Sequence, residues 1–177
     1  SVILSSPLIS ARQWMLDAES LTCQLPYPLR TALRHPDRGA DSVHAIALRE
    51  YYSRFVIGTS WALPDCDYLP DNAQLYRFLW GPDERTITGT LKSFDRTDWL
   101  ERIECPALLL CGEYDEVRPQ TLWNFAARIP RAKAVVIEEA THAAMFEKPH
   151  RYVMEIQRFL AEVERGNGGP NINQGVN

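Results

Sequence analysis

The sequence predicts an α/β protein: parallel strands flanked by helices, with a helical, aromatic-rich block set in after the first strand. Three observations carry this. Residues 107–111 form a short apolar run, introduced by Pro106 and broken by Gly112, of the length of a buried strand. A second apolar run, 134–137, follows after a helical pattern over 119–129, and another helical pattern over 149–163 comes next. Strands alternating with helices over short connections are the signature of a parallel sheet.

The elements follow in order. Residues 1–6 read as a buried strand leaving through Ser5-Ser6-Pro7. A helix is expected over 10–25, with Trp14, Met15, Ala18, Leu21 and Leu25 near one stripe, and Pro26 and Pro28 stop it. Residues 29–33 give a short helical turn, and 35–39 a loop. Residues 42–56 read as a second helix, with Ser42 as N-cap, carrying Tyr51, Tyr52 and Phe55. Residues 58–70 are irregular, and 72–79 give a third helix ending before Gly81-Pro82. This block has no β partner of its own, as expected of a cap over a site. From residue 86 the pattern changes: 86–91 are β-branched in character, and 95–100 open a short helix. Residues 166–177, rich in Gly and Asn, read as a flexible tail. The organisation expected is thus a core strand over 1–10, a helical cap over 11–85, a second core part over 86–165, and the tail.

A chain of 177 residues can bury a sizeable core, and its apolar and charged fractions are those of a soluble globular protein. Its net charge of −4 argues against a nucleic-acid or membrane-surface partner. No apolar run approaches the ~20 residues of a membrane helix. The first residues, starting at Ser1, do not read as a signal peptide. Cys23, Cys66, Cys105 and Cys111 make no C-x-x-C pair. Their expected state is buried and free, which points to a reducing compartment, the cytoplasm. Because strand-like residues begin almost at Ser1, the chain reads as a piece of something larger.

The chemistry lies just past the strands. Asp115 follows the run 107–111, and His142 follows 134–137. Open α/β sheets keep their active sites at the carboxyl ends of strands. An Asp and a His at successive strand ends can touch, and a carboxylate accepting from imidazole Nδ1 fixes the tautomer and stabilises the imidazolium. The order acid then His is that of a hydrolase triad whose nucleophile comes first. Read singly, Asp115 would be a helix cap and His142 a surface loop residue.

The motifs GEYDEVRP (112–119), PALLLCGEYDEV (106–117) and GPDERTITGT (81–90) resemble the proline iminopeptidase family of α/β hydrolases. The resemblance runs from residue 1 to about 163 but covers only the C-terminal part of that family's fold, cap included. It implies an acid at Asp115, a base at His142, and substrate-amine carboxylates at Glu116 and Glu84. It implies a serine-hydrolase aminopeptidase releasing an N-terminal residue such as proline from peptide or aminoacyl amide substrates, with neither metal nor cofactor. One departure is Thr141, where many hydrolases have Gly before the His. A carboxylate pair is suited to holding a substrate by its amine, because two carboxylates in a partly dry pocket make charge-assisted hydrogen bonds to an ammonium. Without the resemblance, Glu84 would read as a solvated loop residue and Glu116 as a first-turn acid favoured by the helix dipole. Trp14, Tyr51, Tyr52, Phe55 and Trp61 could line an apolar pocket, though such aromatics are more often core, and they are not assigned.

The nucleophile of such enzymes sits in a strand–G-x-S-x-G–helix elbow. The nearest match, Gly58-Thr59-Ser60-Trp61-Ala62, is rejected: Pro64 and Asp65 interrupt the required helix, and the residues before it read as helix rather than strand. The expected partner is therefore an N-terminal half bearing G-x-S-x-G, as a separate chain or a missing segment. A three-stranded parallel sheet would leave an unpaired apolar edge that this partner would cover. Two alternatives stay open: a related amidase or esterase on the same fold, and a non-catalytic interaction subunit.

Overall fold

The computed structural model describes residues 1–35, 41–58 and 72–167. Three parallel strands form one sheet in the order β1 (Val2–Ser5), β2 (Ala107–Gly112), β3 (Ala132–Ile137). Val2 pairs with Ala107, and Ala107 with Ala132. β2 is central and buried along its whole length, which is why it reads as an unbroken apolar run rather than an alternating one. Its side chains still divide by period two. Ala107, Leu109 and Cys111 pack with Trp14, Leu122 and Phe125 on one face. Leu108 and Leu110 pack with Ile137 and Phe159 on the other. β1, expected to be buried, is half-buried throughout, because it pairs on one side only.

Helices α1 (Ala11–Thr22), α2 (Tyr27–Arg34), α3 (Asp41–Tyr51) and α4 (Ala73–Leu79) form the helical block after β1. Ser10 caps α1 through the Gln13 N–H. α1 ends at Thr22, before the prolines, and Pro28 lies in the first turn of α2, where a missing N–H is harmless. The block has its own core of Ala18, Leu21, Leu25, Ala32, Leu33, Ala47, Tyr51 and Phe55. α1 joins both cores, with Trp14 toward the sheet and Ala18 and Leu21 toward the block. A five-residue π-helical turn, Tyr52–Val56, continues α3.

Residues 86–91 make no strand. Thr86 bridges back to Asp83, the Thr88 and Gly89 N–H groups both donate to the Trp80 carbonyl, and a 3-10 turn takes over at Thr90–Ser93. A second 3-10 turn, Thr97–Arg102, supplies the expected short helix. Then come α5 (Pro119–Ala126), a short α6 (Ala144–Glu147) that no sequence pattern announced, and α7 (Pro149–Asn167). Cys111 is buried, but Cys105 and Cys23 are exposed, against expectation; Cys105 precedes Pro106 outside the strand. Cys66, Trp61, the rejected elbow at 59–62 and the tail from 168 lie outside the described residues. Among the described residues, no helix is long and apolar enough to cross a membrane.

Candidate active site

The site forms where β2 and β3 end. Gly112 closes β2 against the segment after β3, and a Cβ there would lie 2.2 Å from the Thr141 carbonyl and 2.4 Å from that of Ala140. Only glycine allows this approach. The loop beyond it is pinned to the same segment: the Glu113 N–H donates to Ile137 O (2.9 Å) and the Tyr114 N–H to Ala140 O (2.9 Å). The two loops therefore run side by side.

Asp115 is fully buried, at 0% exposure. Its Oδ2 accepts from Ser6 Oγ (2.6 Å) and the Gly112 N–H (3.1 Å). Its Oδ1 accepts from the Val117 N–H (2.9 Å) and faces His142 Nδ1 at 2.8 Å. α5 starts only at Pro119, with Arg118 as its N-cap, so Asp115 does not cap that helix. Ser6 holds its hydroxyl on the acid from a left-handed backbone conformation, φ 42°, that non-glycine residues rarely adopt.

His142 is fixed on the opposite side by the helical block. Its N–H donates to Phe55 O (3.1 Å), and the next N–H, of Ala143, donates to Val56 O (3.0 Å). The Trp14 ring meets the imidazole edge-to-face at 5.7 Å. Burial by itself lowers the imidazole pKa, but the Asp115 hydrogen bond and the charges of Asp115, Glu116 and Glu84 outweigh it and carry His142 up to about 9. With Nδ1–H directed at Asp115, Nε2 is left for proton transfer.

Glu116 is 1% exposed, and neither carboxylate oxygen has a hydrogen-bond partner among the described residues. Burial, reinforced by the charges of Glu84 and Asp115, pushes it up to about 8, against the pull of His142. The Tyr51 hydroxyl is close enough to favour the Glu116 carboxylate weakly, but it does not reach full hydrogen-bond geometry. A buried carboxylate without full hydrogen bonds is costly, and the His142 charge and the nearby Tyr51 hydroxyl offset only part of that cost.

Glu84 is held by its backbone. Its carbonyl accepts from Trp14 Nε1 (2.7 Å) and Trp80 Nε1 (3.3 Å), and its N–H donates to the Tyr52 hydroxyl (3.2 Å). Burial raises the Glu84 carboxyl, partly offset by the Tyr76 hydroxyl and the charge of His142. The structure thus brings all four residues into one neighbourhood: Asp115 and His142 in contact, Glu84 and Glu116 close enough to perturb each other and the imidazole. Among the described residues no cluster of His, Cys, Asp or Glu is suited to hold a metal ion.

Sequence reasoning missed three participants. Ser6 read only as a strand exit. Trp14, which touches His142 and Trp80 and holds Glu84, stood among unassigned aromatics; its stripe position in α1 marks it as core, and nothing local marks its indole N–H as a brace. Glu147 accepts from Gly58 N and from Thr141 through both its backbone (2.7 Å) and its hydroxyl (2.7 Å).

No protein-family profile matches the chain. Among curated relatives, proline iminopeptidase from Heyndrickxia coagulans is 32% identical over 169 residues, covering 92% of this chain and 59% of the relative. That from Saccharolobus solfataricus is 27% identical over 170 residues, covering 92% and 54%. Among solved structures, proline iminopeptidase from Mycobacterium smegmatis superposes with a TM-score of 0.80 at 28% identity, covering 93% of this chain and 57% of that one. VinJ superposes with a TM-score of 0.79 at 24% identity, a likeness of fold. The chain therefore spans somewhat more than half the length of the relatives it matches. Over that span it is homologous to the C-terminal part of the proline iminopeptidases, and its parallel sheet with flanking helices is that part of an α/β-hydrolase fold.

Proposed function

We propose that this chain is the acid–base and amine-binding part of a serine aminopeptidase that releases an N-terminal residue, proline above all, from peptides. Residues 11–85 then serve as the cap. The nucleophilic Ser and its oxyanion hole come from a segment outside this chain, bearing G-x-S-x-G, which also covers the open side of β1. In its neutral form, which a bound substrate cation favours by offsetting the Glu84 and Glu116 charges that raise the imidazole, His142 Nε2 takes the proton from that Ser as its oxygen attacks the scissile carbonyl. The same imidazolium protonates the departing peptide amine, leaving an aminoacyl ester on the Ser. Water, deprotonated by His142, then hydrolyses the ester. Asp115 keeps Nδ1–H in place and offsets the imidazolium charge throughout.

The observation that carries the reading is Glu116: a buried carboxylate with no hydrogen-bond partner among the described residues, next to an Asp–His pair. A primary α-ammonium or the protonated secondary amine of an N-terminal proline would supply the missing donors and a positive charge. Glu84 offers a second carboxylate to the same charge. An acylated N-terminus offers at most one weak donor and leaves Glu116 unpaired, so it is rejected.

The test uses the complete hydrolase, with the nucleophile-bearing segment present. Proline arylamide is expected to be hydrolysed and N-acetylproline arylamide to be refused. Equal turnover of the two would sink the amine-binding assignment.

A further inference from the structure

We propose that Glu147 is a positioning residue for His142: its carboxylate locks the histidine loop onto the end of the Tyr52–Val56 turn, so that the base and the amine-binding carboxylates share one register. Four contacts build the lock. Glu147 Oε1 accepts from the Gly58 N–H at the end of the cap turn, and from Thr141 Oγ1 at 2.7 Å. Its Oε2 accepts from the Thr141 N–H at 2.7 Å. Thr141 Oγ1 also lies 3.0 Å from Val56 O. One carboxylate therefore gathers donors from both segments that meet here. A Cβ at Gly58 would stand 2.9 Å from Glu147 Oε1, so a larger residue there would push the carboxylate aside.

The turn it grips is unusual. Its bonding is of the i to i+5 kind, with the Ile57 N–H donating to Tyr52 O at 2.8 Å. Such π turns inside α-helices mark functional sites more often than chance. The Phe55 and Val56 carbonyls at its end take the His142 and Ala143 N–H groups. The same five residues present Tyr52, whose hydroxyl accepts the Glu84 N–H. One short element thus touches the base on one side and the amine clamp on the other, and Glu147 fastens it. An aminopeptidase that removes one residue must keep these two groups a fixed distance apart. Thr141, where many hydrolases have Gly, contributes a hydroxyl to the lock that glycine would lack.

The kinetic arm of the test rests on the aminopeptidase reading; the spectroscopic arm does not. In the complete hydrolase, Glu147→Ala and Glu147→Gln are compared by steady-state kinetics on proline arylamide and by NMR titration of the His142 ring. Glu147→Ala is expected to lower kcat by roughly 30- to 100-fold, with KM within about threefold, since small misplacements of a catalytic group cost factors of this order. The His142 midpoint, raised by the Asp115 hydrogen bond and charge, is expected to fall toward the ordinary 6.5 as that contact loosens. Glu147→Gln, which keeps one acceptor oxygen, should recover most of both losses. A lower melting temperature with unchanged kcat and midpoint would overturn the proposal, because the residue would then be structural only. If Glu147→Ala does not fold, Thr141→Gly and Glu147→Gln decide: both are expected to lower kcat roughly three- to tenfold, and native values in both overturn the proposal. If the native enzyme refuses every aminoacyl arylamide, the aminopeptidase reading fails and the His142 midpoint alone judges Glu147.

Discussion

Asp115 and Glu116 are neighbours in one loop, equally hidden from solvent, and opposite in their bonding. Asp115 takes three hydrogen bonds in addition to the imidazole contact, and Glu116 takes none among the described residues. The first carboxylate is part of the scaffold: its charge is solvated by Ser6, two backbone amides and His142. The second is buried with only the His142 charge and the Tyr51 hydroxyl in its favour, and burial pushes it up to about 8, so that without substrate it is largely protonated at neutral pH. The difference teaches how to tell a fixed charge from a receiving one. A satisfied acid orients something already present; under the proposed function the unsatisfied one is complementary to an amine that arrives.

Breaking each carboxylate in turn should separate the two roles. The largest effect is expected from Asp115→Asn in the complete hydrolase. The tautomer held by the acid is lost, and kcat should fall by about 10⁴-fold. The fold should also lose about 3 kcal/mol, measured by denaturant unfolding, because a hydrogen-bonded buried acid has been removed. Glu116→Gln should leave kcat far less affected and raise KM for free-amine substrates by roughly 10- to 100-fold, the worth of a charge-assisted hydrogen bond. An unchanged KM would rule out Glu116 as a substrate-binding acid.

The pH dependence sharpens the contrast. The Glu116 carboxyl is raised in the fold, from 4.5 to about 8, by burial. Its favourable contribution is complete below the unfolded value and is lost as pH rises through the folded one. His142 is raised from 6.5 to about 9, where Asp115 and the nearby acids overcome burial, so its contribution has the same sign. Thermal stability without substrate should therefore fall as pH climbs from about 5 to 9. In Glu116→Gln the part of that slope below pH 8 should flatten. A slope equal to that of the native protein would mean that the fold does not perturb Glu116. The smallest effect belongs to Ser6. Ser6→Ala removes one donor from Asp115 and should cost about 1 kcal/mol by denaturant unfolding. Ser6→Gly should cost less than Ser6→Ala, since glycine relaxes the φ of 42°.

The sheet and the acid–His pair were legible because they rest on local signals. Residues 107–111 are an apolar run between Pro106 and Gly112, and Asp115 and His142 follow successive strands. That Glu116 and Glu84 would lie near enough to perturb each other was legible only through the family's motifs, since 31 intervening residues separate them and no periodicity links the two. What stayed hidden was long-range. Ser6 lies 109 residues from Asp115, and Gly58 lies 89 from Glu147. Only folding creates such contacts, and a serine or a glutamate carries no local mark of them. Residues 86–91 illustrate the converse: β-branched side chains favour a strand only where a partner strand exists, and here Gly89 and the Trp80 carbonyl turn the chain instead.

Trp14 gives the molecule an optical handle on its own protonation. Its indole stands edge-on to His142 at 5.7 Å, with Trp80 at 5.2 Å on the same ring. A ring that gains a positive charge at that range changes the electric field across the indole, and with it the colour and yield of its emission. The difference spectrum between the native protein and Trp14→Phe should therefore report the imidazole without any added dye.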